Sequence, residues 1–176
     1  GITMGQIYGR NFSAITQKDL HRDFNEWGAN KQFVLGDDVT GSDRRADADL
    51  LKVMVTRETM TVNKKYQPEY TVPDRLNYMF TTNQPDAFFL STKDRRYFVF
   101  EITGDPLSEK FYKEYDQWLW KKNGPAALFH HLLNGIDCSA FNPKAPAPLT
   151  AAKSAMIELS RSELDSWAVE LMEHPD

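Results

Sequence analysis

Cysteine is almost missing: Cys138 stands alone in a chain of 176 residues. That scarcity excludes an internal disulfide and argues against a thiolate metal site. A reducing, cytoplasmic compartment is the expectation. No apolar run approaches membrane-spanning length, and nothing at the N-terminus reads as a secretory signal, so no membrane partner is expected. Basic charge is also short, with 21 Lys and Arg against 25 Asp and Glu and a formal net charge of −4. A domain of that balance is no general nucleic-acid binder, and any phosphate contact must come from a local cluster. There is no internal repeat and no low-complexity tract. The phosphate-cradling loop G-x-x-x-x-G-K-[ST] does not occur.

What is there suits one domain, or one domain with a small appendage. Hydrophobic residues at 41% and charged residues at 26% allow a buried core. Residues 4–9 read as the end of an apolar helix closing on Gly9. Residues 12–15 are a short extended candidate. Thr16 offers an N-cap with Asp19 three residues on, and the helix it opens is expected to carry Leu20, Phe24 and Trp27 to a stop near Gly28. Residues 32–35 are a short apolar run ending in Gly36-Asp37-Asp38, the signature of a buried parallel strand. Residues 43–49 read as a charged turn before a helix over 50–55. Residues 60–62 and 70–72 flank Lys64-Lys65-Tyr66 as a hairpin. Residues 76–81 and 97–102 are two further strands.

Helices then take over. Phe111, Tyr115, Trp118 and Leu119 share one face, and Gly124-Pro125 punctuates a second helix over 126–133. Residues 142–148 are proline-rich, and 151–159 with 162–172 read as a helix pair. Trp118, Trp120 and Trp167 read as packing residues. His21 and His174 show no partner, and His130-His131 point apart on one helix. Asp43, Asp47 and Asp49 lack the glycine and glutamate of a calcium loop. The order predicts an α/β sheet followed by a helical C-terminal extension.

Four clusters are candidates for chemistry. An apolar strand delivering Asp37 and Asp38 puts two carboxylates at the ligand edge of an α/β sheet, where one can hold Mg²⁺ through water and the other can polarise an attacking water. An Asp-rich turn explains the same residues. Asn83, at the tip of the 76–81 strand, can orient water or merely start a turn. Arg95 and Arg96 can stabilise charge on a transferring phosphoryl group, or pair with Asp94. Lys64, Lys65 and Tyr66 can meet a phosphate backbone and stack on a base, or simply be a solvated tip.

Taken in order, these residues resemble a known family. Residues 33–38 look like a Walker B strand with the Asp-Asp ending of superfamily-3 viral helicases, and residues 50–73 like the helix and pre-sensor hairpin that follow. Residues 65–73, 82–89 and 94–98 resemble phage and prophage primase-helicases of the poxvirus primase-helicase type. The resemblance covers most of the chain, is strongest over 33–102 and weakest after Ala151. It implies the distal part of a P-loop NTPase (AAA+-like) core over 1–104, a helical segment over 105–141, a linker over 142–149 and C-terminal helices over 150–176.

Function follows from the same resemblance as an expectation: a fragment of a phage-type replicative helicase-primase that couples ATP hydrolysis to movement on single-stranded DNA in a bacterial host cell. Asp37 would hold Mg²⁺, Asp38 would activate water and Asn83 would orient it as sensor 1. Arg95 or Arg96 would complete the site of a neighbour in a homo-hexamer, and Lys64 and Lys65 would grip the strand. Gly1 and Thr3 are expected to be the last residues of a phosphate loop whose Lys lies upstream, so the chain alone is expected to be inactive. The alternative is a non-catalytic DNA- or protein-binding module. A third is a metal-dependent nuclease on Asp37, Asp38 and another carboxylate.

Overall fold

A computed structural model describes residues 1–39, 44–161, 167, 171 and 172. Its centre is a parallel sheet of three short strands, β1 (Phe12–Ile15), β2 (Phe33–Gly36) and β5 (Asn77–Phe80), in the order β1-β2-β5. Register pairs Val34 with Ser13 on one side and Tyr78 on the other, so Ile15, Val34, Tyr78 and Phe80 share a face. All four residues of β2 are buried, as a central parallel strand requires.

The first face packs on α2 (Gln17–Leu20) and α3 (Arg44–Met54). Asp47, Ala48, Leu51 and Met54 recur at spacings of three and four and are buried, which makes α3 helical from Arg44 rather than turn-like over 43–49. Asp43 itself lies outside the described residues. Ile15, Leu20, Val34, Leu51 and Met54 close the core, with Trp27, Phe80 and Phe88 at its rim. The opposite face carries Phe12 and Phe33, whose rings stack with each other and with Tyr8 at the end of α1 (Ile2–Tyr8). α1 in turn meets α5 (Gly124–Asn134), which pairs with α4 (Glu109–Trp120). Helices therefore cover the sheet on both faces.

The helix opened by Thr16 is shorter than expected. Its capping box with Asp19 forms, but α2 ends at Leu20 and only a 3₁₀ turn follows at Glu26–Gly28. Asn25 is the physical reason. Its amide donates to Thr61 O and its carbonyl accepts Asn63 N, while its own N–H reaches Asn63 O. Those bonds draw the chain out to the hairpin of β3 (Thr59–Val62) and β4 (Tyr70–Pro73), which pairs antiparallel as expected.

The strand expected over 97–102 forms no ladder. Its segment takes helix α6 (Ala151–Leu159) as partner: Met156 and Ile157 pack with Leu90 against Phe88, Tyr97 and Val99. The Thr150 hydroxyl donates to Val99 O, and Ala147 N to Arg95 O. Most of the second helix expected over 162–172 lies outside the described residues. Trp120 and Trp167 are 58% and 60% exposed, so neither packs as expected. Trp118 does pack, stacked on Tyr115 and pressed against Gly124, where a Cβ would come within 2.1 Å of the indole. Among the described residues no helix is long and apolar enough to cross a membrane.

Candidate functional site

β2 ends at Gly36, a position where nothing larger fits: a Cβ would meet the Phe80 ring at 2.4 Å. The next two residues emerge at the C-terminal edge of the sheet, where the parallel strands all end. Asp37 and Asp38 are exposed. Asp37 N donates to Ile15 O, which ties it to β1. Asp38 turns through φ 52, the left-handed region that Asp tolerates better than most residues.

Thr81, one residue past β5, knits this edge together. Its hydroxyl donates to Asp37 Oδ1 at 2.6 Å and accepts Asp38 N at 3.3 Å, while Thr81 O accepts Val39 N and Thr81 N donates to Gly36 O. Sequence reasoning chose Asn83 and passed over Thr81. The signal was present: a hydroxyl at the first position past an apolar strand, opposite an acidic strand end. Asn83 lies two residues farther on, at the same edge and exposed. The edge thus offers two outward carboxylates and a hydroxyl, the hard oxygen donors that suit Mg²⁺ held partly through water. Among the described residues no group of three His, Cys, Asp or Glu side chains converges as a metal cluster.

Arg95 and Arg96 sit on a separate turn. Asp94 Oδ1 accepts the amides of Arg96 and Tyr97 at 3.0 and 3.1 Å, and Arg96 Nη1 lies 3.7 Å from Asp94 Oδ2. Both arginines are exposed. The hairpin tip is a third location. Gln67 N closes a turn on Lys64 O, with Tyr66 at φ 62 and 92% exposed. The Lys65 ammonium lies 4.9 Å from the Tyr66 ring centroid, and Lys64 sits 3.6 Å from Glu26. Of the residues singled out, then, only Asp37, Asp38 and Asn83 share one edge.

Two buried contacts escaped the sequence reading. His21, expected to be unpartnered, places Nε2 2.6 Å from Asp47 Oδ1, and Gln17 Nε2 donates to Asp47 Oδ2 at 2.7 Å. Asp47 is 2% exposed, so this carboxylate fastens α2 to α3. Lys153 on α6 is 1% exposed and contacts Asp94. Burial pushes the phenols of Tyr78 and Tyr97 up to about 12, which keeps both protonated and rules them out as bases at neutral pH.

A family model described as "Family of unknown function (DUF5906)" matches residues 2–96, more than half of the chain. The DNA primase-polymerase of Nitratiruptor phage NrS-1 is 26% identical over 163 residues, covering 89% of this chain. The chain spans 22% of the length of that relative. Two apo structures of the NrS-1 C-terminal region superpose with TM-scores of 0.78 and 0.75, at 22% and 24% identity. They cover 97% and 98% of this chain and 41% of theirs, a likeness of fold.

Proposed function

The chain belongs to the DUF5906 family, a family of unknown function, and from that premise we infer that it is a DNA-acting part of a phage replication protein. The finer reading is the distal portion of a P-loop NTPase core, one that drives movement on single-stranded DNA with ATP in the cytoplasm of a bacterial host. Similarity to a protein named as a phage DNA primase-polymerase supports the coarser statement. The finer one rests on the Asp37 carboxylate held by the hydroxyl of Thr81, just past the neighbouring parallel strand, with Asp38 beside it at the sheet edge.

In this reading Asp37 would hold Mg²⁺ through water, and the ion would supply charge neutralisation of the nucleotide phosphates. Asp38 accepts the proton of an attacking water and Asn83 orients that water. Arg95 or Arg96 reaches the nucleotide of the neighbour in a homo-hexamer. Lys64 and Lys65 meet the DNA backbone, and the exposed Tyr66 ring stacks on a base. The phosphate-loop sequence G-x-x-x-x-G-K-[ST] does not occur in the chain, and the chain alone is expected to turn over no ATP.

The test is ATP turnover by the full natural polypeptide, with and without single-stranded DNA, against Asp38→Asn. DNA-stimulated turnover that the substitution abolishes supports the motor. DNA binding with no turnover in either protein rejects it in favour of a non-catalytic binding module, the reading favoured by the exposure of Tyr66.

A further inference from the structure

A buried lysine is expensive unless paired, and apolar side chains of similar size usually hold two elements together at least as well. Lys153, 1% exposed, is nevertheless one of the largest fully buried side chains of the protein. Its ammonium donates to Asp94 O at 2.9 Å and lies 3.4 Å from Asp94 Oδ1, a carboxylate that is itself only 3% exposed. Asp94 Oδ1 accepts the amides of Arg96 and Tyr97, so the same carboxylate that meets Lys153 sets the backbone of the arginine turn. Arg95 is fixed from the same side, its carbonyl accepting Ala147 N in the segment leading to α6.

Helix α6 is otherwise docked without Lys153. Thr150 caps it and bonds Val99 O, Met156 and Ile157 pack on Leu90, and the Ser160 hydroxyl accepts Leu90 N at 3.1 Å. Adhesion is therefore supplied elsewhere, and what the ion pair adds is direction. It ties to α6 the carboxylate that holds the Arg96 and Tyr97 amides, in a turn whose two arginines are exposed.

We propose that Lys153 is a positioning residue for the arginine turn, through which the C-terminal helix α6 governs how Arg95 and Arg96 are presented to a phosphoryl group. This rests on the motor reading above. The proposal assigns the helical tail a part in turnover, since undocking α6 releases Asp94 and with it the arginines.

Two measurements test it. In the chain itself, Lys153→Met should speed hydrogen exchange at the Arg96 and Tyr97 amides about tenfold or more. The Leu90 amide, held by Ser160, should keep its protection and report that α6 is still docked. In the full natural polypeptide, the same substitution should lower kcat for ATP about a hundredfold, the scale of a small misplacement. KM for ATP should stay within about twofold. Arg95→Ala and Arg96→Ala provide the reference, one of them losing roughly a thousandfold. If Lys153→Met also loses Leu90 protection, Lys153→Gln, which keeps a donor but no charge, carries the same comparison. Unchanged exchange at Arg96 and Tyr97, or full turnover in the variant whose α6 remains docked, overturns the proposal alone. Absence of turnover in the unsubstituted polypeptide overturns the motor reading and the proposal with it.

Discussion

Thr81 carries more of the sheet edge than its size suggests, because one hydroxyl serves as donor to Asp37 and acceptor for Asp38 N. Thr81→Val keeps the β-branched shape and deletes both bonds. Urea unfolding should report a loss of about 1.5–3 kcal/mol, the usual range for a bond to a charged group. An unchanged midpoint would mean that water replaces the hydroxyl without cost. Tyr66 offers a sharper contrast at the same scale. Its φ of 62 strains a residue with a Cβ, whereas its exposed ring is what the DNA reading uses. Tyr66→Gly should raise stability by roughly 0.5 kcal/mol while weakening binding of a labelled single-stranded oligonucleotide about tenfold. Equal affinity of both proteins would remove Tyr66 from the interface.

Among the elements, α2 shows how a four-residue helix survives. Asp19 accepts Thr16 N at 2.8 Å and the Thr16 hydroxyl at 2.8 Å, and the Thr16 backbone, then its side chain, hold the Asp19 carboxyl below its ordinary value. A lowered folded pKa stabilises the protein above the unfolded carboxylate range, and the gain is lost as pH falls through the folded value. Asp19→Ala should therefore cost about 1 kcal/mol at pH 7, with the gap to the unsubstituted protein closing in acid. A gap independent of pH would point to packing instead of the carboxylate.

For the molecule as a whole, an acidic chain that grips DNA must do so locally. If Lys64 and Lys65 supply the phosphate contacts, the logarithm of affinity should fall against the logarithm of salt with a slope of about −1.4. A slope twice as steep would bring further basic groups, the arginine turn among them, onto the strand. The core makes its own demand. Leu51 is fully buried between α3 and the sheet, in one cluster with Ile15 and Val34. Leu51→Ala should lower unfolding free energy by about 3 kcal/mol, measured by denaturant titration. A loss under about 1 kcal/mol would mean that the site collapses around the deletion.

What the sequence determined by itself was whatever depends on residues a few positions apart. The capping box of Thr16 and Asp19, the hairpin around residues 64–67, the stacked face of Phe111, Tyr115 and Trp118, and an apolar strand ending in Asp37-Asp38 all follow from such spacings. Tertiary structure decided the rest, because the deciding partners lie far apart in the chain. Asn25 was drawn from a helix by Thr61 and Asn63, and Asp47, read as part of a charged turn, is buried against His21 and Gln17. Residues 97–102 have the composition of a strand yet lie against α6, since a ladder needs a neighbouring strand and composition cannot supply one. Thr81 meets Asp37 across 44 positions, and Lys153 reaches Asp94 across 59. A hydroxyl just past an apolar strand hints at Thr81, but which partner each group meets is settled only once parallel strands and a returning helix have closed the distance.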